Sequence, residues 1–203
     1  MEIILVRHFM TKGNLERRYI GTTDEPLLPA EALARQLKGG VRQAAAGYPE
    51  VQVAAVSPLR RCIETADMIY PDVRKVVCRE LRECDFGLFE NKNYEELKDH
   101  PEYQSWLLSG GRIPFPKGEG RDEFCARCVK GFLCLAERFM EEALESAAFV
   151  VHGGTIMAVL DRLAPHEEGF YHWQCKNGGG YRAKLYEEEW RRGVRRLTEI
   201  ERL

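Results

Sequence analysis

Two apolar runs in this chain each end on a histidine. Ile3-Ile4-Leu5-Val6 leads into Arg7-His8, and Phe149-Val150-Val151 leads into His152-Gly153-Gly154-Thr155. Short runs of this kind, rich in Ile and Val, suit strands buried on both faces of a sheet. In open α/β sheets, ligands bind outside the carboxyl ends of the strands. Two strands that each deliver a histidine at that end can therefore share one pocket, although the histidines are far apart in sequence.

Further strand-like runs are expected at Val51–Val56, Arg74–Cys78, Tyr181–Tyr186 and Val194–Ile200, besides Glu2–Val6 and Ala147–Val151. Tyr181–Tyr186 and Val194–Ile200 are separated by a charged turn around Arg191-Arg192-Gly193. Helical patterns are expected from Ala30 to Ala46, Pro58 to Ile69, Asp122 to Leu144 and Thr155 to Leu163. Alternating strands and helices predict an α/β three-layer sandwich with a mainly parallel central sheet, the terminal pair adding an antiparallel edge. At 203 residues the chain suits one domain, residues 1–203. Residues 83–120 break the pattern. They combine Phe86, Phe89, Tyr94, Tyr103 and Trp106 with a Gly/Pro-rich piece, Gly110 to Pro116, and are expected to form a lid-like insertion over a sheet edge.

The net charge of −2 gives no electrostatic case for nucleic acid or an anionic membrane surface. No apolar stretch approaches the roughly 20 residues of a membrane helix, and Met1-Glu2 runs straight into a strand without a basic signal-peptide region. A cytoplasmic protein is expected, with no nucleic-acid or membrane partner, as a monomer or a homodimer. Seven cysteines sit among helix and strand patterns. Cys125-x-x-Cys128 has no second CxxC or CxxH to complete a zinc site, so buried helix-face thiols are expected, with no metal and no cofactor.

Four clusters lie just beyond strand ends: Arg7-His8; Ser57-Pro58-Leu59-Arg60-Arg61 with Thr65-Ala66; Leu81-Arg82-Glu83 with Phe86-Gly87; and His152-Gly153-Gly154-Thr155. Taken singly, each has an ordinary structural reading: a core histidine, a solvated helix start, a surface carboxylate, a strand-to-helix turn. Together they would make a positive pocket with one proton donor. Guanidinium groups bind phosphate through paired N–H donors and stay charged. A helix start at Ser57–Arg61 would add backbone donors for an anion. A neutral histidine can attack phosphorus, and a carboxylic acid can protonate the leaving alcohol. The residues alone point to a phosphate-handling α/β enzyme.

In order and spacing these motifs resemble the histidine phosphatase (phosphoglycerate mutase-like) superfamily. Arg7-His8 with Thr11 and Asn14 is similar to its R-H-G-x-T-x-x-N signature, and Ser57 to Ala66 is similar to its S-x-L-x-R-x-x-x-T-A block. Leu81 to Gly87 and His152 to Thr155 are similar to its remaining two motifs. The resemblance implies that His8 is the nucleophile that becomes phosphohistidine and Glu83 the general acid, then base. It implies that Arg7, Arg61 and His152 hold the phosphoryl group. Thr11, Asn14, Gly21, Thr22 and Gly153 would complete the substrate and phosphate pocket, with Thr23 and Asp24 bordering the substrate. The α-ribazole phosphatase and small broad-specificity phosphatase branch fits best. A metal-independent phosphomonoester hydrolase acting on a small phosphorylated metabolite is therefore expected. The alternatives are a phosphoglycerate or phosphosugar mutase, or a weakly active or inactive phospholigand-binding relative.

The last alternative rests on Phe9 and Met10, where the family has glycine and usually Glu or Gln; Leu28 likewise replaces a threonine. Loss of glycine would shift the loop carrying His8, or Phe9 would form an apolar wall for the substrate.

Overall fold

The computed structural model describes residues 1–37, 46–165 and 167–203. Six strands form one sheet: β1 (Glu2–Arg7), β2 (Val53–Val56), β3 (Arg74–Val77), β4 (Ser146–Val151), β5 (Gly180–Lys184) and β6 (Thr198–Arg202). Their order is β3-β2-β4-β1-β5-β6. β3, β2, β4 and β1 are mutually parallel; β5 runs antiparallel to β1, and β6 antiparallel to β5. This is an α/β phosphoglycerate mutase-like fold.

Alternation along the central strands feeds two cores. Ile3, Leu5, Val53, Ala55, Ala147, Phe149 and Val151 face one side, where they meet Phe132, Leu135, Phe139, Ile156 and Leu160. Ile4, Val6, Ala54, Val56, Ala148 and Val150 face the other, against Leu33, Cys62, Ala66 and Ile69. The helices of the first side are α6 (Arg121–Glu141) and α7 (Gly153–Leu163); those of the second are α2 (Ala30–Gln36) and α3 (Arg60–Ile69). Residues with period 2 on strands and about 3.6 on helices thus meet from both sides of the sheet. A one-turn helix, α1 (Lys12–Leu15), follows β1.

Three expectations need adjusting. The helix expected from Ala30 to Ala46 is described over Ala30–Gln36; residues 38–45 lie outside the described residues. β3 is an edge strand with an exposed Val77, not a strand buried on both faces. The charged turn before the last strand holds a short helix, α8 (Glu187–Arg191), and β6 starts only at Thr198. Three acidic residues in the first turn of α8 complement the helix dipole.

Residues 83–120 carry α4 (Tyr94–Leu97) and α5 (Pro101–Leu108). Phe89, Leu97 and Tyr103 bury themselves together, with Tyr19, Phe86, Trp106 and Phe115 packed around them. Trp106 stacks on Phe115 at 4.9 Å between ring centroids, and Phe115 meets Phe86 edge-on at 5.0 Å. The seven cysteines are free thiols; Cys128 is buried on the inner face of α6. No helix among the described residues is long and apolar enough to cross a membrane.

Candidate active site

β1 and β4 are adjacent and parallel, with Arg7 beside Val151, so the next residues, His8 and His152, emerge side by side. The His8 N–H donates to the Val151 carbonyl at 3.0 Å, extending the ladder by one bond. The two imidazoles meet edge-to-face with centroids 5.3 Å apart. β2 ends next to β4, bringing Ser57 to the same place, where its N–H donates to the Val150 carbonyl.

The tautomers follow from the partners. His8 is 4 % exposed and its Nδ1 lies 2.6 Å from the Phe9 carbonyl oxygen, which can only accept. Nδ1 therefore carries the proton and Nε2 keeps its lone pair. Burial, reinforced by Arg61 and Arg7, holds His8 well below the ordinary histidine range. His152 is fully buried; its Nδ1 accepts from Arg61 Nε at 3.3 Å, which leaves Nε2–H to donate to Ser57 Oγ at 2.7 Å. Burial, then Arg61, His8 and Arg7, keep it neutral as well.

A cavity of about 450 Å³ opens at this edge, and Arg7, His8, Asn14, Glu83, Gly153 and Gly154 line it. Arg7 donates through Nη1 to the Cys175 carbonyl, while its Nε is buried with no hydrogen-bond partner among the described residues. Asn14 Oδ1 accepts from the Thr11 N–H and from Asn177 Nδ2. Those two bonds orient the amide so that its own NH₂ is left for the cavity. Gly153 opens α7, so its N–H has no intrahelical partner and the helix dipole favours an anion there.

Glu83 stands next to this helix start. Its Oε1 accepts from the Cys84 N–H at 3.0 Å and its Oε2 from the Gly154 N–H at 3.3 Å. A Cβ on residue 154 would sit 2.3 Å from Glu83 Oε1, so only glycine admits the carboxylate here. Burial pushes the Glu83 carboxyl up, and the Cys84 N–H, Arg61, the Gly154 N–H and Arg7 pull part of the way back. The backbone of Glu83 is held by Arg127, which donates to its carbonyl and to those of Glu80 and Arg82. Arg127 in turn forms a two-pronged pair with Glu119 at 2.7 and 2.6 Å.

Arg61 is fully buried behind the histidines rather than lining the cavity. Besides His152 it donates to the carbonyls of Ile20, Gly21 and Thr23. Four bonds from five N–H groups leave one donor uncommitted. On the other side of that loop, Glu90 accepts from the N–H groups of Gly21, Thr22 and Thr23 and from the Thr23 hydroxyl.

Several expected placements therefore change. Thr11 is fully buried and caps α1 with its side chain; it does not line the cavity. Gly21 and Thr22 belong to the loop between Glu90 and Arg61 and do not line it either. Asp24 accepts from the Arg60 N–H at 2.7 Å, so the start of α3 is already capped and the helix start facing the cavity is that of α7. Phe9 does not line this cavity: it is fully buried with Leu27, Leu33 and Tyr48 on the α2 and α3 side of the sheet. It is absent from the residues with positive φ, so its backbone does not require glycine. Met10 and Leu28 pack against the same core, and the Leu28 N–H donates to the Met10 carbonyl.

The sequence reading missed Glu90, Arg127 and Glu119, which act on backbone groups and leave no pattern of spacing. It also missed Arg18 and Arg121, which line the cavity.

A family model described as histidine phosphatase superfamily (branch 1) matches residues 3–196. The chain belongs to that superfamily. It is 29% identical to phosphoglycerate mutase-like protein 4 of Arabidopsis thaliana over 170 residues, 81% of this chain and 71% of the relative. It is 32% identical over 133 residues to the Klebsiella pneumoniae protein named "Probable phosphoglycerate mutase GpmB", covering 63% of this chain. The match spans 59% of that relative's length. The solved structure of the α-ribazole phosphatase of Shigella flexneri superposes with a TM-score of 0.78 at 20% identity, over 93% of this chain and 92% of that one. That likeness is one of fold. For this histidine phosphatase superfamily member, activity and substrate have to be argued from the site.

Proposed function

We propose that the protein is a phosphomonoester hydrolase working through a phosphohistidine at His8. The observation that carries this reading is the tautomer of His8: Nδ1–H is spent on the Phe9 carbonyl, so the Nε2 lone pair serves the cavity shared with Glu83.

In the first step Nε2 attacks phosphorus, the P–O bond to the alcohol breaks, and protonated Glu83 gives its proton to the leaving oxygen. The positive charge that develops on the His8 ring meets the Phe9 carbonyl. The Arg7 guanidinium, the Asn14 amide and the Gly153 N–H supply donors for the phosphoryl oxygens, and preorganised donors are worth most where water is excluded. In the second step Glu83 takes a proton from water, which attacks phosphorus; the P–N bond breaks and phosphate leaves. Arg61 and His152 act from beneath the cavity floor, Arg61 through its charge and His152 against the His8 ring. Residues 83–120 cover the leaving-group side with aromatic side chains, which favours an organic alcohol over inorganic pyrophosphate.

The buried Phe9 supports an active enzyme over an inactive binding relative, because its backbone does not take the positive φ that would call for glycine. The names of the two curated relatives favour a second reading, a mutase that returns the phosphoryl group to another hydroxyl.

Reaction with an aryl phosphate labelled in its phosphoryl group, quenched in alkaline detergent because the P–N bond of phosphohistidine is labile in acid, tests the proposal. Wild type should trap one labelled phosphoryl group on His8 and release phosphate with or without chelator, and His8→Ala should do neither. Turnover by folded His8→Ala at the wild-type rate would overturn it. Isomerisation of a phosphoglycerate with a bisphosphate primer, faster than phosphate release, would decide for the mutase.

A further inference from the structure

The cavity carries a cation that the chemistry above does not use. Arg121 lines it together with Phe115, Phe124, Met157 and Phe170. Its guanidinium carbon lies over the Phe170 ring, 4.3 Å from the centroid, and 5.7 Å from that of Tyr171. Among the described residues it has no carboxylate within ion-pair distance and no hydrogen bond. The other extra arginine differs: Arg18 is paired with Glu16 and Glu96 and donates to the Asn91 carbonyl.

Arg121 also stands in the first turn of α6, where a cation opposes the helix dipole. Neither pairing nor capping accounts for it. Trp106 lines the same cavity, and its indole N–H is buried with no hydrogen-bond partner among the described residues. The cavity thus carries Arg7 beside His8 and, separately, Arg121 against the Phe170 ring.

We propose that Arg121 is a specificity-determining residue that recognises a second anionic group on the leaving group of the phosphomonoester. The substrate class is then an organic phosphate whose alcohol has an apolar body and a carboxylate or second phosphate at its far end. The Phe170 ring holds the guanidinium by a cation–π contact, and its N–H groups can pair with such a group. The inference rests on the phosphoryl end of the cavity being the one at His8.

Matched non-hydrolysable phosphonates test it without any turnover. Benzylphosphonate and 4-carboxybenzylphosphonate are titrated calorimetrically into wild type, Arg121→Gln and Arg121→Ala. Wild type should prefer the carboxylated ligand by about tenfold or more, as a charge-assisted hydrogen bond implies. Both variants should lose that preference while binding benzylphosphonate within about twofold of wild type. No preference in wild type, or a preference retained in both variants, would overturn the role of Arg121. Both ligands failing to bind wild type would refute the phosphoryl pocket, and the inference with it. Normal binding without a phosphoenzyme at His8 would refute only the hydrolytic mechanism.

Discussion

Glu90 and Arg61 grip opposite faces of one short loop. The Glu90 carboxylate accepts the N–H groups of residues 21–23, the shortest bond being 2.8 Å to Thr22, while Arg61 donates to the carbonyls of Ile20, Gly21 and Thr23. A carboxylate and a guanidinium that never touch thus align the same peptide units, and the loop fixes the arginine that carries His152.

Glu90→Ala should therefore do two things. Leaving these amide groups unpaired costs about 1–3 kcal/mol in stability. Freed from its carbonyl partners, Arg61 should also hold His152 less firmly, and affinity for inorganic phosphate should fall several-fold. Thermal melting and phosphate inhibition constants check both, and a lowered melting point with unchanged phosphate affinity would restrict Glu90 to stability.

Phe9→Gly restores the family's glycine but empties a core position. Phe-to-Ala truncations in cores cost about 3–5 kcal/mol, and glycine adds backbone entropy. The variant should be much less stable, with activity per folded molecule within about twofold of wild type at low temperature. A clear gain in kcat without loss of stability would show that Phe9 does disturb the His8 loop.

The difference between Phe9 and Glu90 shows what the sequence could disclose. Strand-end histidines, the arginine after Leu59 and the carboxylate after Leu81 were legible because strand ends converge in a parallel sheet, whatever the loops do. The alternation of apolar residues likewise announced both cores. Side-chain direction was not legible. Phe9 follows His8 by one residue yet faces the opposite core, and Thr11 caps a helix turn instead of meeting phosphate. Residues that bind backbone atoms, such as Glu90 and Arg127, depend on loop geometry that no periodicity encodes.

The role of Glu83 can be isolated by leaving-group choice. The alcohol of an alkyl phosphate must be protonated as it departs, whereas an activated nitrophenolate leaves without help. Glu83→Gln should slow alkyl ester cleavage by about 10²–10⁴-fold and form the phosphoenzyme from the nitrophenyl ester far less affected. With wild type, alkyl ester cleavage should decline on the alkaline side as the raised Glu83 carboxyl loses its proton. Equal losses on both esters would argue against proton donation.

Stability should also depend on pH through the histidines. His8 and His152 stay neutral when folded, with their pKa values depressed, whereas an unfolded chain protonates them below about pH 6.5. The unfolded state then binds more protons, so stability falls as pH drops below that point, by up to about 1.4 kcal/mol per pH unit for each histidine. Glu83 has the opposite sign: its raised carboxyl favours the folded state in acid, an advantage lost as pH rises through the folded value. Two histidines outweigh one carboxyl between the unfolded and folded histidine values. Urea midpoints from pH 7.5 to 5.5 should decline, less steeply in His8→Gln. A His8→Gln slope equal to that of wild type would count against a neutral His8.

The parallel pairing of β1 with β4 also works as a ruler. Arg7 is fixed beside Val151, so one residue inserted in either strand would shift a histidine by about 3.3 Å and turn it to the opposite face. Beyond Glu83 and Glu90, the connection between β3 and β4 bears no such constraint, since it joins strands that do not pair with each other. Insertions and deletions there can remodel the leaving-group wall while the spacing of the histidine pair stays unchanged. Substrate range and bond-breaking chemistry can thus diversify separately in this architecture, one through loop length and the other only through point substitution.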